Sequence, residues 1–289
     1  MTIYALSSGP GLSGVAVIRI SGLEAEKVIL SLTKKALPDP RVATLRKILD
    51  YDSKELIDEG IIIWFPGPNS YTGENMAEFH VHGGKAVIQS VLDNISKIKN
   101  CRLAEPGEFT KIAFQNEKIN LLKAESIGDL IASETEIQRR QALKIMSGMS
   151  SDKFNFWRKT LIKILSFIEA KIDFPDEDLP IDILKNIKNE SEMVNAEIKK
   201  TLSDSKVGES VREGFKIAIL GPTNAGKSSL LNYFSKREVA IVSEMAGTTR
   251  DIIEVHINID GFPVVMSDTA GIRSSKDEIE KKGIKLALK

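Results

Sequence analysis

Three stretches of different texture predict a three-part chain: an α+β segment, an all-helical segment, and a final segment of alternating strand, loop and helix. Three observations carry this prediction. Short β-branched and aromatic runs bounded by Gly and Pro recur through residues 1–118, interleaved with helical spacing. Apolar residues return every three to four positions through 119–210, with no Pro between 107 and 174. From 211 onward an apolar strand-like run leads into a glycine-rich loop and then into helix-forming sequence.

In the first segment, Val15-Ala16-Val17-Ile18-Arg19-Ile20 and Ile61-Ile62-Ile63-Trp64-Phe65 read as strands. Gly84 to Asn100 reads as a helix, with Val87, Ile88, Val91, Leu92 and Ile95 on one face. In the second, Trp157, Leu161, Leu165, Ile168 and Ile172 form one stripe, and Leu184, Ile187, Val194, Ile198 and Leu202 another. Between them Asp173 to Pro180 breaks the helix, because Pro lacks an N–H and restrains the residue before it. In the third, Phe215 to Leu220 is a short apolar strand and Ser229 to Phe234 opens a helix. Ile252–Ile259 and Val264–Ser267 read as a hairpin turning through Asp260-Gly261, a dipeptide suited to positive φ.

At 289 residues, 42% hydrophobic and 28% charged, the chain has the composition of a globular protein with real cores. Length alone suggests about two domains of roughly 100–200 residues. Forty basic residues balance forty acidic ones, so bulk charge favours no polyanionic partner. The single cysteine, Cys101, excludes an internal disulfide and fits a reducing compartment; with no His motif beside it, it reads as a small buried residue rather than a nucleophile. There is no signal-like N-terminus and no run of about 18 apolar residues, which predicts a cytoplasmic protein with no membrane partner.

The chemistry concentrates after the third-segment strand. Gly221-Pro222-Thr223-Asn224-Ala225-Gly226-Lys227-Ser228 matches G-x-x-x-x-G-K-[ST]. Its glycines let backbone N–H groups turn toward phosphate oxygens, and the following helix adds its positive end. Lys227 can reach the β- and γ-phosphates, and the Ser228 hydroxyl can ligate Mg²⁺. Asp268 follows the strand Val264 to Ser267, where its carboxylate can hold Mg²⁺ through water, and Gly271 offers an N–H to a γ-phosphate. Between them Gly247-Thr248-Thr249-Arg250-Asp251 supplies Thr249, whose hydroxyl can complete the Mg²⁺ shell. Asp268-Thr269-Ala270-Gly271 favours GTP over ATP, but the guanine-reading Asn-Lys-x-Asp sequence does not occur. A structural reading of the same residues is a glycine-rich turn with an incidental Lys and Ser.

The whole chain resembles the MnmE (TrmE) family of tRNA-modification GTPases. The motifs that carry this are Pro68-Asn69-Ser70-Tyr71-Thr72-Gly73-Glu74 with His82-Gly83-Gly84, and Ala104-Glu105-Pro106-Gly107-Glu108-Phe109-Thr110 leading through Ala113-Phe114 to Ala124-Glu125. Gly247 to Asp251 and Asp268 to Arg273 match the family's switch regions. The resemblance implies an α+β N-terminal folate-binding and dimerisation domain at 1–118, the N-terminal part of an α-helical domain at 119–210, and the first part of an α/β P-loop (Ras-like) GTPase domain at 211–289. It implies joint action with an MnmG-type flavoprotein on the wobble uridine of tRNA. There an aminomethyl-type group is added at C5, its carbon drawn from 5,10-methylene- or 5-formyl-tetrahydrofolate.

Site residues follow from the same resemblance. GTP contacts are implied for Asn224, Ala225, Gly226, Lys227, Ser228 and Ser229, for Ser243, Glu244, Met245, Ala246, Gly247, Thr248 and Thr249, and for Asp268, Thr269, Ala270 and Gly271. Mg²⁺ falls to Ser228 and Thr249. K⁺ falls to Asn224, Ser243, Met245 and Thr248; a monovalent cation at the phosphates supplies charge that an arginine supplies elsewhere. Glu280 matches the acidic residue that positions the attacking water, with Lys227 the second catalytic group. Glu280 also reads as a solvated helix carboxylate. Arg19, Glu78 and Lys118 match the folate contacts; without the resemblance each reads as a surface charge, although Arg19 shares a strand face with Val15 and Val17, an odd place for an unpaired cation. His80 and His82 share a strand face, but no third metal ligand of suitable type lies nearby in sequence.

The chain also departs from the family pattern. Leu12 stands where an Arg is common, and the guanine-reading motif, the returning helices and the C-x-G-K tail are not in this sequence, which predicts a chain shortened at its C-terminus. Three readings stay open: a K⁺-stimulated GTPase, a folate-binding dimer without hydrolysis, and an ATP-binding P-loop protein. Half a nucleotide sheet exposes an apolar face and an edge, so residues 211–289 alone are expected to be loosely packed or aggregation-prone. Hydrogen exchange is the check: fast exchange is expected across Phe215 to Leu220, and strong protection there contradicts the expectation.

Overall fold

A computed structural model describes residues 1–9, 11–173, 183–219, 226, 229–230, 233–234, 240–241 and 254–268. The chain forms two compact units, Met1–Ala124 and Glu125–Lys289.

The first unit is built on a six-stranded sheet. Its strands are β1 (Thr2–Leu6), β2 (Ser13–Ser21), β3 (Thr44–Leu49), β4 (Leu56–Phe65), β5 (Met76–Gly83) and β6 (Cys101–Leu103), in the order β3-β4-β5-β2-β1-β6. All neighbours are antiparallel except β1 and β6. The runs read from sequence as strands lie within β2, which extends beyond its run at both ends, and within β4, which begins earlier and ends at Phe65 as read. Alternation sorts their residues between two faces. Ala16, Ile18 and Ile20 of β2, Ile62 and Trp64 of β4, and Ala77, Phe79 and Val81 of β5 point into one core. Helices α1 (Ala25–Thr33) and α2 (Lys85–Ser96) close it with Val28, Ile29, Leu32, Val91 and Ile95. The helix expected over Gly84 to Asn100 ends earlier, at Ser96. The opposite face carries Arg19, Glu78, His80 and His82, all half-buried or exposed.

Helix α3 (Glu108–Gln115) follows β6, and the unit boundary falls within α4 (Leu121–Ile131). In the second unit α5 (Glu136–Met146) starts on a capping box, Thr135 accepting from the Gln138 N–H while the Gln138 side chain accepts from the Thr135 N–H. Helices α6 (Met149–Asp173) and α7 (Ile183–Glu213) pair through buried Trp157, Ile164 and Val194. The Trp157 indole donates to Glu197 at 2.5 Å, and Lys163 reaches Glu190 at 2.6 Å. Of the stripe read from sequence only Trp157 is buried; Leu161, Leu165, Ile168 and Ile172 are exposed among the described residues.

Gly214 ends α7 at φ 85°, a left-handed stop that suits glycine. A methyl group there would lie 2.8 Å from a Val265 methyl, so its absence also lets the following strand approach. The second sheet runs β7 (Phe215–Ile219), β10 (Phe262–Asp268), β9 (Glu254–Ile259), β8 (Ala240–Ile241). The β9–β10 hairpin turns through Asp260 (φ 49°) and Gly261 (φ 88°), as the Asp-Gly pair predicts. His256 Nδ1 lies 3.0 Å from a Glu134 carboxylate oxygen, and Gly261 sits under Ile137. Strand β7, expected at the centre of its sheet, stands at one end of the four described strands, with Phe215 and Ile217 exposed.

Phe79 has no solvent exposure. Phe79→Ala is expected to destabilise the first unit by about 3–5 kcal/mol. Denaturant unfolding followed by the fluorescence of buried Trp64, in a Trp157→Phe background, measures it.

Candidate functional site

Two groups of residues could bind a ligand, one in each unit. In the second unit β10 runs parallel to β7, pairing Val264 with Phe215 through to Asp268 with Ile219. Both strands therefore end at the same sheet edge. Ligand loops of parallel α/β sheets gather at the carboxyl ends of strands. The glycine-rich loop leaves β7 there, and Asp268-Thr269-Ala270-Gly271 leaves β10 there. Gly226 has φ 85°, and its carbonyl accepts the Leu230 N–H at 2.9 Å, an α-helical first bond. Ser229 and Leu230 are already helical. A helix thus begins at the loop's end, and a helix N-terminus is the end that favours anions.

Gly226, Ser229 and the backbone of Asp268 are the sequence-predicted nucleotide residues within the described part. Asn224, Ala225, Lys227, Ser228, Ser243, Glu244, Met245, Ala246, Gly247, Thr248, Thr249, Thr269, Ala270, Gly271 and Glu280 lie outside it.

In the first unit the structure brings Arg19 and Glu78 together. They are register partners on β2 and β5, with Arg19 Nη2 and Nε at 2.8 and 2.9 Å from Glu78 Oε1. The other oxygen, Oε2, lies 3.4 Å from His80 Nε2. Arg19 is therefore paired, which answers the oddity of a cation on that strand face. Its guanidinium also faces two rings, 5.5 Å from the centre of Tyr71 and 5.8 Å from that of Phe109. The Tyr71 hydroxyl meets Thr110 Oγ1 at 2.9 Å.

These rings come from the two motifs singled out in the sequence. Residues 68–74 join β4 to β5 and are held on several sides. Ser21 Oγ lies 2.7 Å from Thr72 Oγ1 and donates to Glu74 at 2.8 Å; Asn116 donates to the Thr72 carbonyl at 2.7 Å. Arg41 donates to the Asn69 carbonyl. Lys118, on the turn after α3, lies with its side chain against Gly73. The loop thus touches the side chains of both Arg19 and Lys118. The sequence signal for Tyr71, Phe109 and Thr110 was the motif itself; their contact with Arg19 is long-range and has no local signature.

The remaining titratable groups divide simply. His82 Nδ1 and N–H both reach the Asp58 carboxylate at 2.8 Å. Burial pushes that carboxyl up, but the bonds from His82 and Glu59 outweigh it and hold it below its ordinary value. Among the described residues no group of three or more His, Cys, Asp or Glu is placed to hold a metal ion. Burial raises the Cys101 thiol to about 11, which leaves it protonated and unreactive near neutrality. No described helix is long and apolar enough to cross a membrane.

Glu108 anchors the start of α3. It pairs with both terminal nitrogens of Arg102 and accepts the Glu105 N–H at 2.8 Å, and these bonds lower its carboxyl from 4.5 to about 2. A carboxyl lowered by folding stabilises the fold above its unfolded value and loses that effect as pH falls to its folded value. Glu108→Gln is thus expected to lower the melting temperature at pH 7. The gap from the parent should shrink between pH 4.5 and about 2; a gap independent of pH in calorimetry contradicts this.

Comparison with known proteins agrees with the architecture. The family described as "GTP-binding protein TrmE N-terminus" matches residues 2–118, and "MnmE helical domain" matches residues 121–288. The chain is 73% identical over 288 residues to the "tRNA modification GTPase MnmE" of Pelagibacter ubique (strain HTCC1062), covering 100% of this chain and 65% of that protein. It is 48% identical to the protein of that name from Rickettsia akari (strain Hartford), covering 99% and 65% respectively. For the one from Beijerinckia indica subsp. indica the figures are 48% identity, 98% and 63%. The chain therefore spans about 65% of the length of these relatives. With a helical-domain match that runs through most of its length, the chain belongs to the MnmE family.

Proposed function

We propose that this chain carries the nucleotide-phosphate site and the folate site of a GTPase that modifies the wobble uridine of tRNA. The observation that supports it most is the parallel register of β7 and β10, by which the two strands that precede the phosphate motifs end at one sheet edge. In this reading GTP contacts Asn224 to Ser229, Ser243 to Thr249 and Asp268 to Gly271. Ser228 and Thr249 hold Mg²⁺. Asn224, Ser243, Met245 and Thr248 hold K⁺, Lys227 neutralises charge developing on the phosphates, and Glu280 orients the attacking water. The boundaries proposed are 1–118, 119–210 and 211–289, with the first domain dimerising. The further partners are tRNA and an MnmG-type flavoprotein, and the site of action is the cytoplasm.

The chemistry of the first-unit cluster suits a reduced folate. A pterin offers amino and N–H donors to a carboxylate, and its polar edge and glutamate tail accept from cations. Glu78 supplies that carboxylate; Arg19 and Lys118 supply the cations. When bound, a tetrahydrofolate supplies the one-carbon unit. The residues bind and orient it, and Tyr71 and Phe109 restrict how far Arg19 can move. A second reading, folate binding without hydrolysis, is favoured by the first unit's possession of its own buried core beside this cluster.

Two measurements separate the readings. GTP turnover by the chain is expected to be higher in K⁺ than in Na⁺ and to fall at least about 10²-fold in Lys227→Ala. Absence of any nucleotide binding refutes the GTPase reading for this chain, and preference for ATP over GTP refutes guanine selectivity. Calorimetry with 5-formyltetrahydrofolate is expected to show binding that weakens about tenfold or more in Glu78→Ala, since the carboxylate's charge-assisted bonds are lost. Unchanged affinity refutes the folate assignment.

A further inference from the structure

Gly73 lies under the side chain of Lys118. It has φ 83°, and a methyl group on it would lie 3.0 Å from Lys118 Cε, 3.4 Å from Lys118 Cγ and 3.3 Å from Asn116 Cβ. The lysine stem therefore lies over the glycine, filling the space a side chain would take. Its base is fixed as well. The Lys118 N–H donates to the Ala113 carbonyl at 2.9 Å, and Asn116, two residues earlier, donates to the carbonyl of Thr72 at 2.7 Å. Thr72 is buried and bonded to Ser21. The turn after α3 is thus fastened to the residue before Gly73, and the exposed Lys118 stem extends from it.

We propose that Gly73 is a positioning residue for Lys118: the missing side chain leaves a track along which the lysine stem lies, fixing where its ammonium is presented to an anionic or carbonyl group of the ligand. This rests on the reading of Lys118 as a folate contact. A long lysine loses rotamer freedom on binding, and a stem already held against the loop loses less. A methyl group at position 73 displaces the stem by a few tenths of an ångström and removes that preorganisation. The Lys118 stem is flexible and gives by that amount, whereas Asn116 Cβ at 3.3 Å and the positive φ add strain that does not depend on Lys118. Backbone strain at positive φ is a separate effect, acting on the whole loop and so also on Tyr71 and Arg19.

A double-mutant cycle on 5-formyltetrahydrofolate affinity separates the two effects. The full chain is measured by calorimetry as parent, Gly73→Ala, Lys118→Ala and the double variant, with near-UV circular dichroism confirming the fold. Lys118→Ala is expected to weaken binding about tenfold and Gly73→Ala about threefold, as for lost and misplaced charge-assisted bonds. In the Lys118→Ala background, Gly73→Ala is expected to cost clearly less than in the parent, leaving only what loop strain contributes. Gly73→Asn, a residue that tolerates left-handed backbone, is expected to weaken binding as Gly73→Ala does, because it too fills the track. Additive losses, or full affinity in Gly73→Asn, overturn the positioning role and leave the folate reading standing. Unchanged affinity in Lys118→Ala, or no folate binding by the parent, removes the folate assignment of Lys118 and the positioning role with it.

Discussion

Parallel pairing between β7 and β10 is the constraint on which the nucleotide reading depends. The two strands are separated by the whole glycine-rich loop, its helix, β8 and β9, and each ends in a motif that does nothing alone. Side by side and in parallel, their ends share an edge. In the proposed reading, the residues that follow β7 and those that follow β10 act on the same polyphosphate. The hairpin through Asp260 and Gly261 sets the register of β10 against β9, and Gly214 lets α7 hand over directly to β7 against Val265. A register slip of one residue in β10 would exchange the faces on which its side chains lie.

The first unit solves a different problem, presenting charge on the open face of a sheet. Arg19 and Glu78 satisfy one another across neighbouring strands, and two aromatic rings limit the arginine's motion. Those rings hang from residues 68–74 and from α3, which are fastened to each other by Tyr71 with Thr110 and Thr72 with Asn116. Glu108 in turn ties the start of α3 to Arg102. Part-buried polar links of this kind contribute modestly to stability one by one, but together they favour a single arrangement.

Much of this architecture was legible in the sequence because its signals are local. β-branched runs, helical spacing and the Asp-Gly turn depend on residues within a few positions of one another, and all three matched the observed elements. The length of β2 and β4, the early end of α2 and the short helices α3 to α5 were not individually legible, since tertiary packing decides where such elements stop. The pairing of Arg19 with Glu78 spans 59 residues and follows from strand order, which no local pattern encodes. The stripe of Trp157, Leu161, Leu165, Ile168 and Ile172 marked a helix correctly, but of its members only Trp157 is buried, and the contact with α7 runs through Trp157 and Ile164. Periodicity shows that a face exists, not which neighbour covers it.

The central claim is that the ends of β7 and β10 form one metal–nucleotide site. Electron paramagnetic resonance of Mn²⁺, used in place of Mg²⁺, tests it most directly, because free Mn²⁺ gives a strong signal that binding removes. Mn²⁺ is predicted to bind the chain only in the presence of GDP, with ³¹P hyperfine coupling in the bound ion and weakened binding in Asp268→Asn. Nucleotide-dependent Mn²⁺ binding that Asp268→Asn leaves unchanged, or Mn²⁺ binding indifferent to GDP, would contradict it.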